Sequence, residues 1–212
     1  MDRISRVVGA LPTNVHVLAD ERSGEAIAID TAIPSLAWIA GELAARGWTL
    51  RLIISTHGHW DHIGDNAAVA GATGAQNAVH PVEREMLERP APMWAPFEIP
   101  PSVPAVELAE GGEIRFGSIR LTVLHTPGHT PGSVSLLARD EGLLFSGDTL
   151  FAGGWGRVDL PGGSPEAMAA SLGRLADLEP VIGVLPGHGP ATTIRRELPW
   201  LEMVRSAGRL LA

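Results

Sequence analysis

The sequence predicts a layered α/β fold, in which helices cover β-sheets. Short apolar runs of strand length alternate with longer stretches of helical periodicity along the whole chain. The chain has 212 residues, of which 45% are hydrophobic and 19% charged, so it can bury a sizeable core. Because no linker of distinct composition divides it, we expect a single domain over residues 1–212.

Each predicted strand is a short apolar run. In chain order these are Asn14–Ala19, Ala26–Asp30, Leu50–Thr56, Ala75–His80, Ile119–His125, Ser133–Ala138, Leu143–Ser146 and Val181–Leu185. Five segments have helical periodicity: Ser35–Ala45, His62–Gly71, Val82–Arg89, Pro165–Leu178 and Thr193–Leu211. The fourth helix has a clear start, with Ser164 as N-cap and Pro165 at the first helical position.

The segment Arg89–Ala105 differs from the rest because it carries six prolines. One interpretation is an ordered surface connection with its aromatic side chains packed against the body. The other is a lid or rim of a binding site, since long loops without secondary structure are often functional. In the second case Trp94 and Phe97 are candidate substrate contacts.

Composition excludes several classes of function. The chain has no cysteine, so it has no disulfide, thiolate metal site or cysteine nucleophile, and it has no tyrosine. Its formal net charge of -8 disfavours binding to nucleic acid. No segment approaches the ~20 apolar residues of a membrane span, and the apolar stretch Val7–Leu11 is too short for a signal peptide. We therefore expect a cytoplasmic protein that binds neither nucleic acid nor membrane.

The segment Thr56–His62, THGHWDH, places four metal-ligand residues within six consecutive positions. Alternate residues of an extended segment point to the same side, so His57 and His59 can converge on one ion. Asp61 and His62 follow where the chain turns into the next helix, and they can address a second ion. Imidazole and carboxylate are suitable ligands for zinc, iron or manganese.

Three later apolar runs each lead to a further residue of a ligand type, namely His129, Asp148 and His188. Open α/β sheets place their sites at the C-terminal ends of strands, so we expect these side chains to join the first four. A core without function has no reason to gather so many costly polar groups at strand ends. The remaining histidines are interpreted as strand-side or capping residues: His16, His80 and His125.

The two halves of the chain show a weak internal similarity. Glu25–Thr31 resembles Gly142–Thr149, and each is followed later by an apolar run that ends in a histidine motif. These runs lead to His59 and His188. The similarity indicates two halves with related topology.

Four segments, taken in this order, resemble the metallo-β-lactamase superfamily: THGHWDH (Thr56–His62), PGHTPGS (Pro127–Ser133), FSGDTLF (Phe145–Phe151) and LPGHGP (Leu185–Pro190). The resemblance covers nearly the whole chain. It implies a four-layer αββα sandwich, with two mixed β-sheets flanked by helices and a dinuclear site along one edge. The ligand set that it implies is His57, His59 and His129 for one metal, Asp61, His62 and His188 for the other, and Asp148 bridging both.

Within the superfamily the chain is most similar to the glyoxalase II branch, the hydroxyacylglutathione hydrolases, in their short bacterial form. The similarity lies in GHTPGS and in the stretch Gly147–Gly163. Related β-lactamases of the commonest subclass use a cysteine ligand, and quorum-quenching lactonases use a tyrosine; neither residue type occurs here. Flavodiiron proteins have a glutamate where His59 stands.

Two features depart from the longer glyoxalase II enzymes. Only one predicted helix follows His188, where those enzymes have a helical domain that holds glutathione. Arg157 and Asp159 occupy the positions at which the longer enzymes carry the lysine and the tyrosine that bind glutathione. We expect Arg157 to hold a carboxylate of the thiol carrier, with an ion pair to Asp159 as the alternative. The carrier stays open between glutathione and another small thiol.

The resemblance implies hydrolysis of a small-molecule thioester by a metal-bridging hydroxide. Two divalent ions, Zn²⁺ with Fe and Mn as alternatives, lower the pKa of the bridging water and polarise the carbonyl. Asp61 is expected to orient the water as well as bind metal. Asp30 is a candidate acceptor for the ring N–H of a ligand histidine, with a helix-capping role as the alternative.

Three other functions stay open. A persulfide dioxygenase with a single iron looks similar and carries a GRxD segment, here Gly156–Asp159. Another hydrolase of the same fold is the second alternative. A metal-bound interaction module without catalysis is the third, and it is disfavoured because all seven ligand positions are filled. The oligomeric state is open between monomer and dimer.

Overall fold

A computed structural model describes residues 1–90, 95 and 97–211. By their internal contacts the residues group into two compact units, one formed by 1–108 with 114–120 and the other by 109–113 with the chain from 121 onward. Each unit contains most of one mixed β-sheet together with helices. The single-domain organisation over 1–212 stays a prediction.

The first sheet has six strands in sequence order. They are β1 (Asp2–Val8), β2 (Thr13–Ala19), β3 (Glu25–Ile29), β4 (Thr49–Ile54), β5 (Gln76–Val79) and β6 (Pro104–Glu107). The first three are antiparallel, whereas β3, β4, β5 and β6 run parallel. The helices of this unit are α1 (Leu36–Arg46), α2 (Trp60–Ile63), α3 (Asn66–Thr73) and α4 (Arg84–Glu88), and a 3₁₀ turn spans Pro81–Glu83.

The core of the first unit follows from alternation along its strands. Val15 and Val17 of β2 are fully buried and belong to one apolar cluster with Ile39 of α1 and Val69 of α3. Alternate strand residues point to the same face of a sheet, so this face is covered by the two helices. Removal of these side chains from water stabilises the unit.

The second sheet has the order β14-β13-β10-β9-β8-β7. The strands from this part of the chain are β7 (Glu113–Phe116), β8 (Ile119–His125), β9 (Val134–Ala138), β10 (Leu143–Gly147), β11 (Leu150–Phe151), β12 (Gly154–Trp155), β13 (Gly183–Pro186) and β14 (Thr192–Thr193). β11 and β12 form a separate small hairpin. The helices are α5 (Pro165–Leu175) and α6 (Ile194–Ala207). Met168 and Leu172 of α5 and Leu201 of α6 lie in a buried cluster with Leu144 and Val184 of the sheet.

Both sheets repeat one local topology. β3 pairs antiparallel with β2 and parallel with β4, the strand that leads to His57. β10 likewise pairs antiparallel with β9 and parallel with β13, the strand that leads to His188. This is the relation between the two halves that the internal similarity indicated.

The helix predicted over His62–Gly71 is wrong as a single element, because the chain forms α2 and α3 with a break at Gly64 and Asp65. Asp65 Oδ2 accepts hydrogen bonds from the backbone N–H groups of Ser35, at 2.5 Å, and Leu36, at 2.8 Å. The residue that interrupts the helix is therefore bonded to the first turn of α1. The C-terminal helix ends at Ala207 rather than Leu211, since Gly208 is left-handed with φ of 61°.

Several strands were not predicted. β1 is an edge strand whose residues are mostly exposed or polar, so it lacks an apolar run. β6 begins at Pro104 inside the proline-rich segment and lies at the other edge of its sheet, where proline is tolerated. The connection Arg89–Ala105 therefore ends in a strand, and Trp94 lies outside the described residues.

The longest helix of the described chain is α6, with 14 residues. A bilayer span requires about 20 apolar residues. No helix in the described ranges combines the length and the apolar character needed to cross a membrane.

Candidate functional site

Four predicted ligands follow β4 in the first unit. His59 is extended, with φ of -68° and ψ of 144°, and α2 begins at the next residue. His57 and His59 therefore precede the helix, whereas Asp61 and His62 lie in its first turn. The ring centroids of His57 and His59 are 4.8 Å apart, and those of His57 and His62 are 4.1 Å apart. His57 and His62 are fully buried, so this local fold brings imidazoles together away from bulk water.

A buried carboxylate, Asp30, organises this turn from the end of β3. Its Oδ1 accepts from the backbone N–H of Thr56 at 2.7 Å, and its Oδ2 accepts from the Thr56 hydroxyl at 2.8 Å. The same Oδ2 lies 3.0 Å from Nδ1 of His62. The Thr56 hydroxyl in turn lies 3.1 Å from Nδ1 of His57. Asp30 thus reaches two predicted ligands, one directly and one through Thr56.

The backbone of Asp30 has a positive φ of 57°, which is uncommon for a residue other than glycine. A left-handed residue costs about 1–2 kcal/mol, so the surrounding contacts must hold it in place. They include the bond from its N–H to the carbonyl of Ile54, at 2.9 Å. Helix capping was the alternative role for Asp30. Asp65 has that role instead, because its carboxylate accepts from the backbone N–H groups at the start of α1.

The second unit brings together the other three predicted ligands. His129 follows β8, Asp148 follows β10 and His188 follows β13. Nε2 of His129 and Nε2 of His188 each lie 3.5 Å from Oδ2 of Asp148. His129 and Asp148 are buried, and His188 is partly exposed. One carboxylate oxygen therefore stands between two imidazole nitrogens.

His129 is oriented by the backbone of residues 153–157, the loop that includes β12 of the small hairpin. Its Nδ1 lies 2.7 Å from the carbonyl oxygen of Arg157, which can only accept, so Nδ1 carries the proton. Gly156 of the same loop packs so closely on the carbonyl of Asp148 that a Cβ would overlap it. The loop therefore contacts two predicted ligands at once.

The C-terminal helix holds this loop through Glu197, which is buried. Its Oε2 accepts from the backbone N–H of Gly153 at 2.8 Å and from Nε1 of Trp200 at 2.6 Å, and its Oε1 accepts from the hydroxyl of Thr192. Burial acts to raise the pKa of Glu197, but these hydrogen bonds and the nearby Arg196 outweigh it and lower the pKa.

The donor atoms fit a divalent metal in chemistry and in spacing. Nδ1 of His129 donates to the carbonyl of Arg157, and the Thr56 hydroxyl, whose hydrogen goes to Asp30, can accept from Nδ1 of His57, so Nε2 of both rings is left as the donor atom. Ligand atoms about 2.1 Å from one tetrahedral ion lie about 3.4 Å apart. The separation of Nε2 of His62 from Oδ2 of Asp61 is 3.5 Å, the value also found for the pairs around Asp148.

The predicted substrate contacts lie near these groups to different degrees. Nε and Nη2 of Arg157 donate to the two carboxylate oxygens of Asp159, at 2.8 and 2.7 Å, so the structure shows the ion pair that was the alternative. The pair raises the pKa of Arg157 and lowers that of Asp159 to about 2. Phe97 is 39% exposed and packs edge-on against Trp60, between His59 and Asp61 in sequence. A substrate role for Arg157 and Phe97 stays a prediction.

The other histidines have local partners of the kinds expected. His16 is buried, with Nδ1 2.7 Å from the Ser5 hydroxyl, and burial, followed by the charge of Arg3, lowers its pKa to about 4. Nδ1 of His80 accepts from the N–H of Val82 at the start of the 3₁₀ turn. Nε2 of His125 lies 2.9 Å from the carbonyl of Pro131.

Sequence reasoning identified Asp30 but missed the other groups that orient the ligands. Thr56 precedes the histidine motif directly, and its hydroxyl could have been considered as a partner for a neighbouring ring. The carbonyl of Arg157 carries no mark in the sequence, because every residue has one. Glu197 acts from a position distant in sequence, so only the fold identifies it.

Comparisons with known proteins agree with this architecture. Residues 8–188 match the family described as the metallo-beta-lactamase superfamily. The chain is 39% identical over 158 residues to the probable metallo-hydrolase YqgX of Bacillus subtilis, covering 72% of this chain and 74% of that protein. It is 38% identical over 169 residues to a hydroxyacylglutathione hydrolase of Cereibacter sphaeroides, covering 80% of this chain and 59% of the hydrolase.

Solved structures show the same fold. BLEG-1 B3 metallo-beta-lactamase matches with a TM-score of 0.86 at 33% identity, over 93% of this chain and 97% of that one. TTHA1623, solved in a di-iron-bound form, matches with a TM-score of 0.81 at 36% identity, over 92% of this chain and 96% of that one. ETHE1 from Myxococcus xanthus matches with a TM-score of 0.81 at 27% identity, over 97% of this chain and 85% of that one. These likenesses confirm the predicted fold class of two mixed sheets flanked by helices.

Proposed function

The chain belongs to the metallo-β-lactamase superfamily, and from this we propose that it is a metal-dependent hydrolase that cleaves thioesters. The observation that carries the proposal is the likeness to hydroxyacylglutathione hydrolases over four-fifths of the chain. The absence of cysteine and tyrosine, which distinguishes it from the cysteine-ligated lactamases and from the lactonases, supports the same choice.

We assign all seven predicted ligands to two divalent ions. His57, His59 and His129 would hold the first ion, Asp61, His62 and His188 would hold the second, and Asp148 would bind both. Support comes from the spacing of the donor atoms within each unit and from the tautomers fixed by their oxygen partners. Zn²⁺ is the proposed metal, with Mn as an alternative. Iron is the other alternative, and the di-iron form of TTHA1623 supports it.

The protein's residues prepare this site for a thioester. The two ions, when bound, supply hydroxide at neutral pH and stabilise negative charge on the carbonyl oxygen. We assign to Asp61, besides metal binding, the role of orienting the attacking water or accepting its proton. The Thr56 hydroxyl contacts Nδ1 of His57, and the carboxylate of Asp30 lies 3.0 Å from Nδ1 of His62, so these imidazoles would need little reorganisation.

We propose that the thiol carrier lies against the aromatic and cationic groups near the ligands. Phe97, with Trp94 from the same segment, would provide apolar contact. Arg157 would bind a carboxylate of the carrier with its guanidinium, in the bidentate manner now used for Asp159. Glutathione is the first carrier to test, and another small thiol would suit the same chemistry.

A persulfide dioxygenase with a single iron is the second candidate. The structural likeness to ETHE1 from Myxococcus xanthus and the segment Gly156–Asp159 favour keeping it. The two candidates differ in co-substrate, because hydrolysis consumes water whereas the oxygenase consumes O₂.

One experiment separates the two functions. Protein loaded with metal is given S-D-lactoylglutathione while released thiol is measured, and glutathione persulfide while oxygen uptake is measured. We expect thiol release without oxygen uptake. Oxygen consumption with the persulfide and no thioester turnover would contradict the proposal in favour of the dioxygenase.

A further inference from the structure

The turn that carries His57 and His59 is bonded by a second buried carboxylate, Glu83. This residue closes the 3₁₀ turn before α4 and is only 1% exposed. Its Oε2 accepts from the backbone N–H of Gly58 at 2.9 Å. Gly58 lies between two predicted ligands and, as a glycine, has no side chain with which to bind metal.

The two carboxylates act on alternate residues of the same turn. Asp30 bonds the N–H of Thr56, and Glu83 bonds the N–H of Gly58, so the backbone on both sides of His57 is fixed. Two peptide N–H groups that would otherwise be buried without a partner are satisfied in this way. The direction in which the His57 side chain leaves the backbone is therefore set by both.

Close packing brings the turn onto Glu83. A Cβ added to Gly58 would lie 2.6 Å from Cβ of Met86 and 3.0 Å from Oε2 of Glu83. A residue larger than glycine would thus push the turn away from α4 and lengthen its bond to the carboxylate. The glycine of the HGH motif and the distant Glu83 form one contact.

We propose that Glu83 is a positioning residue, which holds the His57–Gly58–His59 turn in the conformation that binds metal. The inference rests on the proposed function in one respect, namely that His57 and His59 are metal ligands. It assigns no contact with substrate to Glu83.

The test is the metal affinity of purified variants, measured with Zn²⁺ in competition with a chromophoric chelator. Glu83→Ala removes the acceptor, and we expect affinity to fall about 10- to 100-fold, the usual effect of losing a partner behind a ligand. Glu83→Gln keeps an oxygen acceptor, and its affinity should stay within about fivefold of wild type. If Glu83→Ala does not fold, Glu83→Asp replaces it, because its side chain is one methylene shorter and draws the acceptor back. The Zn²⁺ affinity of Glu83→Asp should lie between the values expected for Glu83→Ala and Glu83→Gln.

Leu43→Ala is the matched control, since Leu43 is buried in the same unit but belongs to the cluster around α1. It should lower the melting temperature of the metal-free protein without changing metal affinity. Wild-type affinity in Glu83→Ala or Glu83→Asp would overturn the inference, and so would equal losses in Glu83→Ala and Leu43→Ala. A wild-type chain that binds no Zn²⁺ would overturn the proposed function itself.

Discussion

Single oxygen atoms lie against Nδ1 of two predicted histidine ligands. Oδ2 of Asp30 is 3.0 Å from Nδ1 of His62, and the carbonyl of Arg157 accepts from Nδ1 of His129. The ring of His129 is therefore set to bind through Nε2. In the second unit the Nε2 atoms of His129 and His188 each lie 3.5 Å from one oxygen of Asp148, so we expect the proposed metal site to depend most on this carboxylate.

Replacing Asp148 tests this dependence. Asp148→Ala should lower the metal content of the purified protein and abolish nearly all thioester hydrolysis, because two ions lose a shared ligand. Circular dichroism should show that the fold survives. Elemental analysis measures the metal, and the exposed Asp140→Ala serves as control. A full load of two metals in Asp148→Ala would refute the bridging assignment.

Arg157 offers a second test, because its ion pair with Asp159 competes with any substrate carboxylate. If Arg157 binds the carrier, Arg157→Ala should raise KM about 10- to 150-fold, from the roughly 1.5–3 kcal/mol of a charge-assisted contact, with kcat nearly unchanged. Asp159→Asn should then lower KM or leave it unchanged, since the guanidinium is released.

The results for the two variants distinguish a role of Arg157 in substrate binding from a structural role in the loop. If the ion pair serves only to hold the loop, both variants should impair kcat or metal content in the same direction. Steady-state kinetics and metal analysis of the two variants decide this. A normal KM in Arg157→Ala would reject a role in substrate binding.

At the level of elements, a buried carboxylate joins two turns of the first unit. Asp20, after β2, accepts from the N–H and the hydroxyl of Ser118 in the β7–β8 turn, at 2.5 and 2.6 Å. It also accepts from the N–H groups of Arg22 and Ser23. These hydrogen bonds, of which the two from Ser118 have the largest effect, hold the pKa of Asp20 well below its usual range.

The lowered pKa predicts how Asp20 stabilises the protein as pH changes. Its contribution is complete above about pH 5, one unit over the unfolded-state pKa of about 3.9, and is lost as pH falls from there towards the folded-state pKa. Wild type should therefore exceed Asp20→Asn in unfolding free energy at pH 7, and the difference should shrink below about pH 4. Urea unfolding across this range measures it. A difference independent of pH would contradict the prediction.

The elements predicted correctly are those with an apolar run or a cap. β8 matches its predicted bounds, and α5 starts at Pro165, where the Ser164 hydroxyl accepts from the N–H of Ala167. The strands at the edges, β1 and β6, were missed because they need fewer apolar residues and tolerate proline. Local sequence reports local burial, and an exposed edge strand or one that contains proline carries little of this signal.

The same limit applies to the candidate site. Ligand residues could be identified because ligand chemistry requires particular side chains at particular spacings. Their supports could not, since Glu83 acts through a contact 25 residues away and Arg157 through its backbone carbonyl. The role of Asp30 towards a ligand histidine was proposed from sequence; its 3.0 Å approach to His62 gives that role a geometry, and its effect on metal binding stays a prediction.

At the scale of the whole molecule, family membership determines the fold, but it does not determine the substrate. The chain spans 59% of the hydroxyacylglutathione hydrolase of Cereibacter sphaeroides, so that enzyme has sequence with no counterpart in the match. Among the residues that the structure describes, α6 is the helix after His188, and its Glu197 bonds the segment that orients His129. The hydrolytic chemistry is therefore proposed from the ligands, and the identity of the thiol carrier depends on assays.

The most direct measurement for this proposal is the number of metal ions bound per chain. Metal-free protein is titrated with Zn²⁺ and, separately, with Fe²⁺ under anaerobic conditions, and bound metal is counted after removal of the excess. We predict two equivalents per chain, reduced in both His59→Ala, from the first unit, and Asp148→Ala, from the second. Binding of a single iron with no site for Zn²⁺, or no loss of metal in either variant, would contradict a dinuclear hydrolase.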